Sequence, residues 1–103
     1  MNREFMQDEE RSVIKDRYFV SVQTLDYYGA RVDHLEMLLN RGSVATAGDY
    51  IALFKKHYNV DAELKNVMPY MEFRVALPEP KGIRQITVLK IAKDITYQPI
   101  TKI

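Results

Sequence analysis

Apolar and polar residues alternate along the last third of the chain, first over Met71 to Leu77 and again over Ile83 to Ile91. The residues between these segments, Pro78 to Gly82, have the sequence PEPKG, which is typical of a turn. Alternation with period two indicates strands with one buried face, and two such strands joined by a short Pro/Gly loop form an antiparallel pair. The pattern predicts a β-hairpin with a five-residue loop.

Two registers of this hairpin are compatible with the sequence. Pairing Leu77 with Ile83 continues the ladder directly from the loop, but it places Val75 opposite Gln85. A slip of one residue places Val75 opposite Ile86 and pairs more apolar side chains. We favour the second register, which predicts a bulge near the loop.

The segment Tyr18 to Leu25 is rich in β-branched and aromatic residues, and this composition predicts a strand. Its apolar residues Tyr18, Val22 and Leu25 also follow Ile14 at helical spacing, so the end of a long first helix is the alternative. Residues 1–16 before it are mostly polar and charged. We expect them to form a leader that is partly helical or disordered.

Two helices are predicted in the middle of the chain. Val32, Leu35, Leu38 and Leu39 recur at intervals of three and four residues, which indicates a helix of about ten residues that ends at Gly42 in a left-handed cap. A second helix is predicted after Thr46, because a hydroxyl followed three residues later by the Asp49 carboxylate matches a capping box. Its apolar face carries Tyr50, Ile51, Phe54 and Tyr58, and Asn59 is its expected end.

The remaining segments complete an α+β fold. Residues 60–67 are interpreted as a charged connector, and Ile95 to Gln98 as a further strand that Pro99 restricts to the edge of a sheet. We therefore expect residues 17–103 to form a single α+β domain. Its small antiparallel sheet has three to four strands, including the C-terminal hairpin, with two helices packed on one face.

Composition narrows the functional classes. The chain contains no cysteine, which excludes disulfides and cysteine-based metal sites and suits the reducing cytoplasm. No stretch of eighteen apolar residues occurs, so a membrane partner is not expected. The net charge is only +1, but residues 69–103 carry six basic and three acidic side chains. The hairpin end is therefore mildly cationic.

No combination of residues indicates catalysis or a bound cofactor. His34 and His57 each lack a second ligand at helical metal-binding spacing. The segment Gly42 to Gly48 differs from a phosphate-binding loop because Asp49, rather than lysine, follows its second glycine, and that carboxylate would repel a phosphate. We expect a non-enzymatic protein without a cofactor or a metal ion.

Tyrosine supports a role in protein binding. The chain has seven tyrosines and no tryptophan, and Tyr27 and Tyr28 are adjacent beside Gly29. Tyrosine is favoured at interfaces because its large ring carries a hydrogen-bonding tip. The main hypothesis is a regulatory protein-binding module that binds either another protein or further copies of itself as a homo-oligomer. The contact candidates are Tyr27, Tyr28 and Tyr97. Exposed strand edges at Tyr18 to Leu25 or at Ile95 to Gln98 would pair with the partner.

Nucleic-acid binding is the alternative hypothesis. Two helices followed by a hairpin is the order of a winged helix, and a sheet-based nucleic-acid-binding regulator is the other form of this hypothesis. In either form the cationic hairpin would contact phosphates. The candidate residues are Arg74, Lys81, Arg84, Lys90 and Lys93.

Overall fold

The computed structural model describes residues 14–98, which form a single antiparallel sheet with one helix. The elements in chain order are β1 (Lys15–Asp26), β2 (Gly29–Asn40), α1 (Ala47–Tyr58), β3 (Ala62–Asn66), β4 (Met71–Val75) and β5 (Gln85–Lys93). The strands lie side by side in the order β2-β1-β5-β4-β3. Since α1 follows β2 and precedes β3, it connects the two outermost strands across one face of the sheet.

The expected fold of two helices on a sheet of three to four strands is wrong. The described residues contain five strands and one helix, because the segment predicted as the first helix is the long strand β2. Leu35, Met37 and Leu39 alternate with exposed residues and are buried beneath α1. Gly42 does adopt a positive φ of 86°, but in the turn after a strand rather than at the end of a helix.

A two-residue turn between β1 and β2 reverses the direction of the chain, so that the second strand pairs with the first. The Asp26 carboxylate accepts hydrogen bonds from the backbone N–H groups of Tyr28 (2.7 Å) and Gly29 (3.1 Å), and Gly29 has a φ of 127°. A carboxylate that bonds to the backbone two residues further on stabilises a turn, and glycine allows the left-handed backbone that a tight hairpin requires. The chain therefore folds back on β1 at once instead of starting a helix.

The strand predicted at residues 18–25 is confirmed, but its expected position at an edge is wrong. It lies within β1, which pairs with β2 on one side and with β5 on the other. The second expected edge strand is also wrong, because Ile95 and Thr96 lie in a turn after β5. The expected connector at residues 60–67 contains β3, which is the edge opposite β2.

The predicted C-terminal hairpin is confirmed as the pair β4 and β5, with a different register. Phe73 lies opposite Ile86 and Met71 opposite Val88, which is neither of the two registers considered. No bulge interrupts this described pairing; the irregularity in β5 lies where that strand pairs with β1, next to Leu89. The connection is also longer than expected and covers residues 76–84.

The helix α1 is confirmed with its caps. The Thr46 hydroxyl accepts from the Asp49 N–H and the Asp49 carboxylate accepts from the Thr46 N–H, while Asn59 ends the helix with a left-handed backbone. Phe54 is completely buried and packs edge-on against Phe73 of β4, with 5.2 Å between ring centroids. The core therefore lies between α1 and one face of the sheet.

The predicted polar leader, residues 1–16, lies outside the described residues except for its last three, and Lys15 and Asp16 belong to β1. Within residues 14–98, no helix is long and apolar enough to cross a membrane.

Candidate interaction edge

The outer edge of β2 has no neighbouring strand among residues 14–98. The Arg41 N–H donates to the Ile14 carbonyl at 2.7 Å, so these two residues form a hydrogen-bonded pair of the ladder between β1 and β2. Bonded and non-bonded pairs alternate in an antiparallel ladder. Every second residue of β2 therefore bonds to β1, and the residues between them point their backbone N–H and C=O groups outward. These residues are Ala30, Val32, His34, Glu36, Leu38 and Asn40, and the Asn40 carbonyl accepts from the Ser43 N–H.

Each side chain along this edge faces one of two environments. Leu35, Met37 and Leu39 point towards α1 and are at most 7% exposed. Val32 and Leu38 point to the opposite face, where they are 51% and 49% exposed. Two large apolar side chains thus stand in solvent beside backbone groups without a described partner.

Polar side chains lie between these two apolar residues. The His34 ring bonds to the Ser21 hydroxyl at 2.9 Å, and Glu36 lies 3.6 Å from the Arg17 guanidinium. Both contacts connect β2 to the neighbouring strand β1. Among the described residues 14–98, the outward-bonding positions of β2 include no lysine or arginine, the residues that commonly protect an edge strand.

A groove of about 480 Å³ lies along the second half of β2. It includes Met37 and Leu39, which face α1, and also Glu36 and Leu38, which face the other way. A groove that contains residues from both faces of one strand must pass over the edge of that strand. Its walls are provided by α1, β1 and the segment after β5, through Asp49, Ala52, Leu53, Lys56, Arg17 and Tyr97.

The first half of β2 is held from the side of α1. The Tyr58 hydroxyl donates to the Asp33 carboxylate, which also lies 3.4 Å from Arg31. Burial, together with this hydrogen bond to a carboxylate, raises the pKa of Tyr58. The carboxylate of Asp33 therefore has partners within its own chain.

Ion pairs hold the sheet where β1 begins and β2 ends. The Asp16 carboxylate is 4% exposed, accepts from Arg41 at 2.9 Å and lies 3.5 Å from Lys93. The hydrogen bond from Arg41 lowers the pKa of Asp16. The pKa of Asp94 is lowered as well, first by the Thr96 hydroxyl and then by Arg17, whose guanidinium is 2.7 Å away. The long edge is therefore anchored at this end.

The structure separates the three candidate tyrosines. Tyr27 and Tyr28 form the turn between β1 and β2, where they are 61% and 74% exposed and their rings meet edge-on at 5.2 Å. Tyr97 lies near the other end of β1, with the Arg17 guanidinium 5.0 Å from its ring centre. Only Tyr97 lines the groove.

The five basic candidates do not form one surface. Lys93 points to the side of α1 and lies near Asp16, whereas Lys90 and Arg74 lie on the opposite face, where Arg74 pairs with Glu63 at 3.1 Å. Lys81 lies over the ring of Tyr27, with 5.6 Å to its centre, and the Arg84 N–H donates to the Leu25 carbonyl. Residues 14–98 contain one helix, so this part of the chain lacks the helix pair that a winged helix requires.

Neither histidine belongs to a metal site within residues 14–98. No group of three or more His, Cys, Asp or Glu side chains in this part of the chain could hold a metal ion. His57 is exposed in the last turn of α1, and His34 is exposed on β2.

Sequence reasoning missed the residues that shape the groove, above all Glu36 and Leu38. The signal that could have identified them is the period of two in Leu35, Met37 and Leu39, directly after a tight Asp-Tyr-Tyr-Gly turn. This signal favours a strand over a helix only when β1 is itself a strand, because β1 then needs a neighbouring strand to pair with.

Three comparisons with known proteins gave no match: no family model and no curated protein matches the sequence, and no solved structure matches the fold.

Proposed function

We propose that this protein is a small non-catalytic binding module, which adds an extended segment of a protein partner to the outer edge of β2. One observation carries the proposal: a twelve-residue edge strand whose outward backbone groups, from Ala30 to Leu38, have no partner within residues 14–98. Such an edge is a template for strand pairing, in which backbone hydrogen bonds supply affinity.

The groove supports the same proposal because it adds side-chain selectivity. In strand addition, alternate side chains of the incoming segment enter pockets on the two faces of the sheet. Here Leu53 and Ala52 provide apolar surface on the side of α1, and Tyr97 provides an aromatic ring on the other side. Arg17 and Lys56 are the cationic groups that line this groove.

Nucleic-acid binding stays a prediction, and the scatter of the five basic candidates over both faces and a loop leaves it without a shared surface. The absence of cysteine suits the reducing cytoplasm, and we place the protein there.

The test uses two substitutions at one position. Glu36→Pro removes an outward N–H, which proline cannot supply, while the bonds from β2 to β1 stay intact. Glu36→Ala removes the same carboxylate but keeps the N–H. In affinity capture with the full chain as bait, we expect Glu36→Ala to recover more of the proteins that the wild type recovers than Glu36→Pro, which should lose them. Equal recovery by both variants would contradict docking at this edge.

Amide hydrogen exchange gives a second readout with residue resolution. In the free chain, the outward amides of Val32, His34 and Glu36 should exchange quickly, and those of Asp33 and Leu35, which bond to β1, slowly. Addition of the partner should slow the outward set alone. If the complex protects the tip at Tyr27 and Tyr28 and leaves the outward amides unchanged, the docking site is elsewhere.

A further inference from the structure

The order of side chains along β2 is complementary to itself. Two copies of an edge strand that pair antiparallel are related by a two-fold axis, so residues equally distant from the axis face each other. Outward-bonding residues have to meet outward-bonding residues, because only these have free backbone groups. The axis must therefore pass at one residue of β2 rather than between two.

Comparison of the axis positions selects Leu35. With the axis there, His34 lies opposite Glu36 of the second copy, and Val32 lies opposite Leu38 of the second copy, each pair occurring twice. An axis at Glu36 sets two glutamates against each other, and an axis at Asp33 does the same with two aspartates. An axis at His34 places Val32 opposite a glutamate.

We propose that the partner at the β2 edge is a second copy of this chain, paired antiparallel about an axis at Leu35; this rests on the proposed function of that edge. The pairing joins the two sheets into one continuous sheet of ten strands. Backbone hydrogen bonds on the order of ten would form between the two edges, since each bonded pair exchanges two of them.

Burial of apolar surface favours this register. Val32 and Leu38 are about half exposed on the face opposite α1, and the pairing covers each with the other. On the side of α1, Leu35 meets its own copy. Asp33 lies near Met37 of the second copy, but its carboxylate already has Tyr58 and Arg31 as partners.

The polar side chains of β2 also find partners in this register. Glu36 is 61% exposed and its contact with Arg17 is long, at 3.6 Å, so the carboxylate can also face the imidazole of the second copy. The imidazole of His34 can hydrogen-bond to this carboxylate, whereas the like charges that an axis at Glu36 would set opposite each other destabilise a strand pair. The proposed register thus uses the polar centre of β2 as well as its two apolar positions.

Cysteine cross-linking tests the register directly, because the chain has no cysteine of its own. Val32→Cys and Leu38→Cys are prepared separately, and both replace exposed side chains. Residues of a bonded pair across two strands lie within disulfide distance, whereas equal positions in the proposed dimer lie far apart along the strands. On mild oxidation, we expect the mixture of the two variants to yield several times more disulfide-linked dimer than either variant alone.

The mixture cross-linking no better than the separate variants would overturn the proposal. If capture by the full chain still depends on the Glu36 N–H in that case, the edge binds a different protein, and the proposed function stands without the second copy. If capture does not depend on the Glu36 N–H either, both the proposed dimer and the proposed function of this edge are wrong.

Charge variants at position 34 provide a second test in solution. His34→Lys and His34→Glu both replace the imidazole that bonds to Ser21, and they present opposite charges to Glu36 of the second copy. We expect the dimer dissociation constant of His34→Glu, measured by sedimentation at low ionic strength, to be about tenfold higher than that of His34→Lys, because two equivalent contacts change sign. Equal dissociation constants, or a monomer for the wild type at its highest soluble concentration, would contradict the register.

Discussion

The two edges of the sheet are built in opposite ways. The edge formed by β3 has only five residues, its register with β4 is irregular between Leu64 and Asn66, and the charged residues Glu63 and Lys65 are exposed on it. The edge formed by β2 has twelve residues and pairs with β1 without interruption from Lys15 to Asp26. One edge is short and uneven, and the other is long and regular.

This difference matters because proteins protect their strand edges against unwanted pairing. Short length, irregular register and exposed charge are among the usual means, and β3 has all three. The strand β2 is long and regular, and although it also carries the exposed Glu36, its outward positions include the apolar residues Val32 and Leu38. Within residues 14–98, β3 has these protective features and β2 is long, regular and unpaired on its outer side, and this contrast underlies the proposed function.

The largest expected effect comes from the core that supports the short edge. Phe73→Ala removes a completely buried ring that packs on Phe54, so we expect the free energy of unfolding to fall by about 3 to 5 kcal/mol. Denaturant unfolding measures it. Leu64→Ala is the matched control, because Leu64 lies directly opposite Phe73 on β3 but is 42% exposed. Similar losses for both variants would show that the core is not where the structure places it.

A smaller effect should distinguish the inner from the outer backbone of β2. Arg31→Pro removes an N–H that bonds to β1, whereas Val32→Pro removes one that points outward, and both side chains are exposed. We expect Arg31→Pro to be the less stable variant by about 1 to 3 kcal/mol, the cost of a lost ladder bond and an unpaired carbonyl partner. Thermal and denaturant unfolding of the two variants give the comparison. The reverse order would mean that the bonding pattern of β2 is shifted by one residue.

The ion pair between Asp16 and Arg41 at the end of β2 should make the stability of the fold depend on pH. Because Arg41 lowers the pKa of Asp16 below its usual 3.8, the ion pair stabilises the fold above about pH 4 and loses this contribution as the pH falls through the pKa of the folded state. Asp16→Asn should be less stable than the wild type at pH 7, and the difference should shrink below about pH 4. Melting temperatures across this pH range test it.

Arg41→Met is the matched partner variant, and its deficit should shrink over the same range, since it removes the other half of the pair. If the loss of stability in Asp16→Asn stays constant down to pH 2, the carboxyl stabilises the fold through something other than its charge.

Two lysine variants should have the smallest effect on stability, but they should differ clearly in how strongly the protein associates. Val32→Lys and Leu64→Lys each place a lysine at an exposed apolar position, one on β2 and one on β3. Both should change the free energy of unfolding by less than about 0.5 kcal/mol. Sedimentation should show weaker association only for Val32→Lys, because only its edge is proposed to pair. Weakened association of Leu64→Lys instead would move the interface to β3.

The sequence predicts α1 well because the signals for that helix are local. The capping box of Thr46 and Asp49, the apolar face that includes Tyr50 and Phe54, and the stop at Asn59 all lie within one segment. The same local reasoning is wrong for β2, since Val32, Leu35, Leu38 and Leu39 have helical spacing while Leu35, Met37 and Leu39 have strand spacing. Both patterns are present, and propensity alone does not separate them.

Prediction of the site was limited by strand order. The sequence predicts edge pairing as a means of binding, but at Tyr18 to Leu25, which lies inside the sheet, or at Ile95 to Gln98, which is not a strand. Whether a strand lies at an edge depends on its neighbours, and these are distant in sequence. Gln85 of β5 pairs with Leu25 of β1, which lies sixty positions earlier in the chain. Tyr97 was found from its residue type, whereas the groove that it lines depends on how α1 crosses the sheet.

By itself, the sequence determined the capped helix, the strand character of β1 and the pairing of the two C-terminal strands, because each depends on periodicity or turn chemistry over a few adjacent residues. The tertiary structure decided that Gly29 to Asn40 forms a strand, since the open side of β1 and the apolar side of α1 bury Leu35, Met37 and Leu39 only in the extended conformation. It also decided which strands lie at the two edges of the sheet. That outcome follows from the crossing of α1 between the outer strands, and no local pattern contains it.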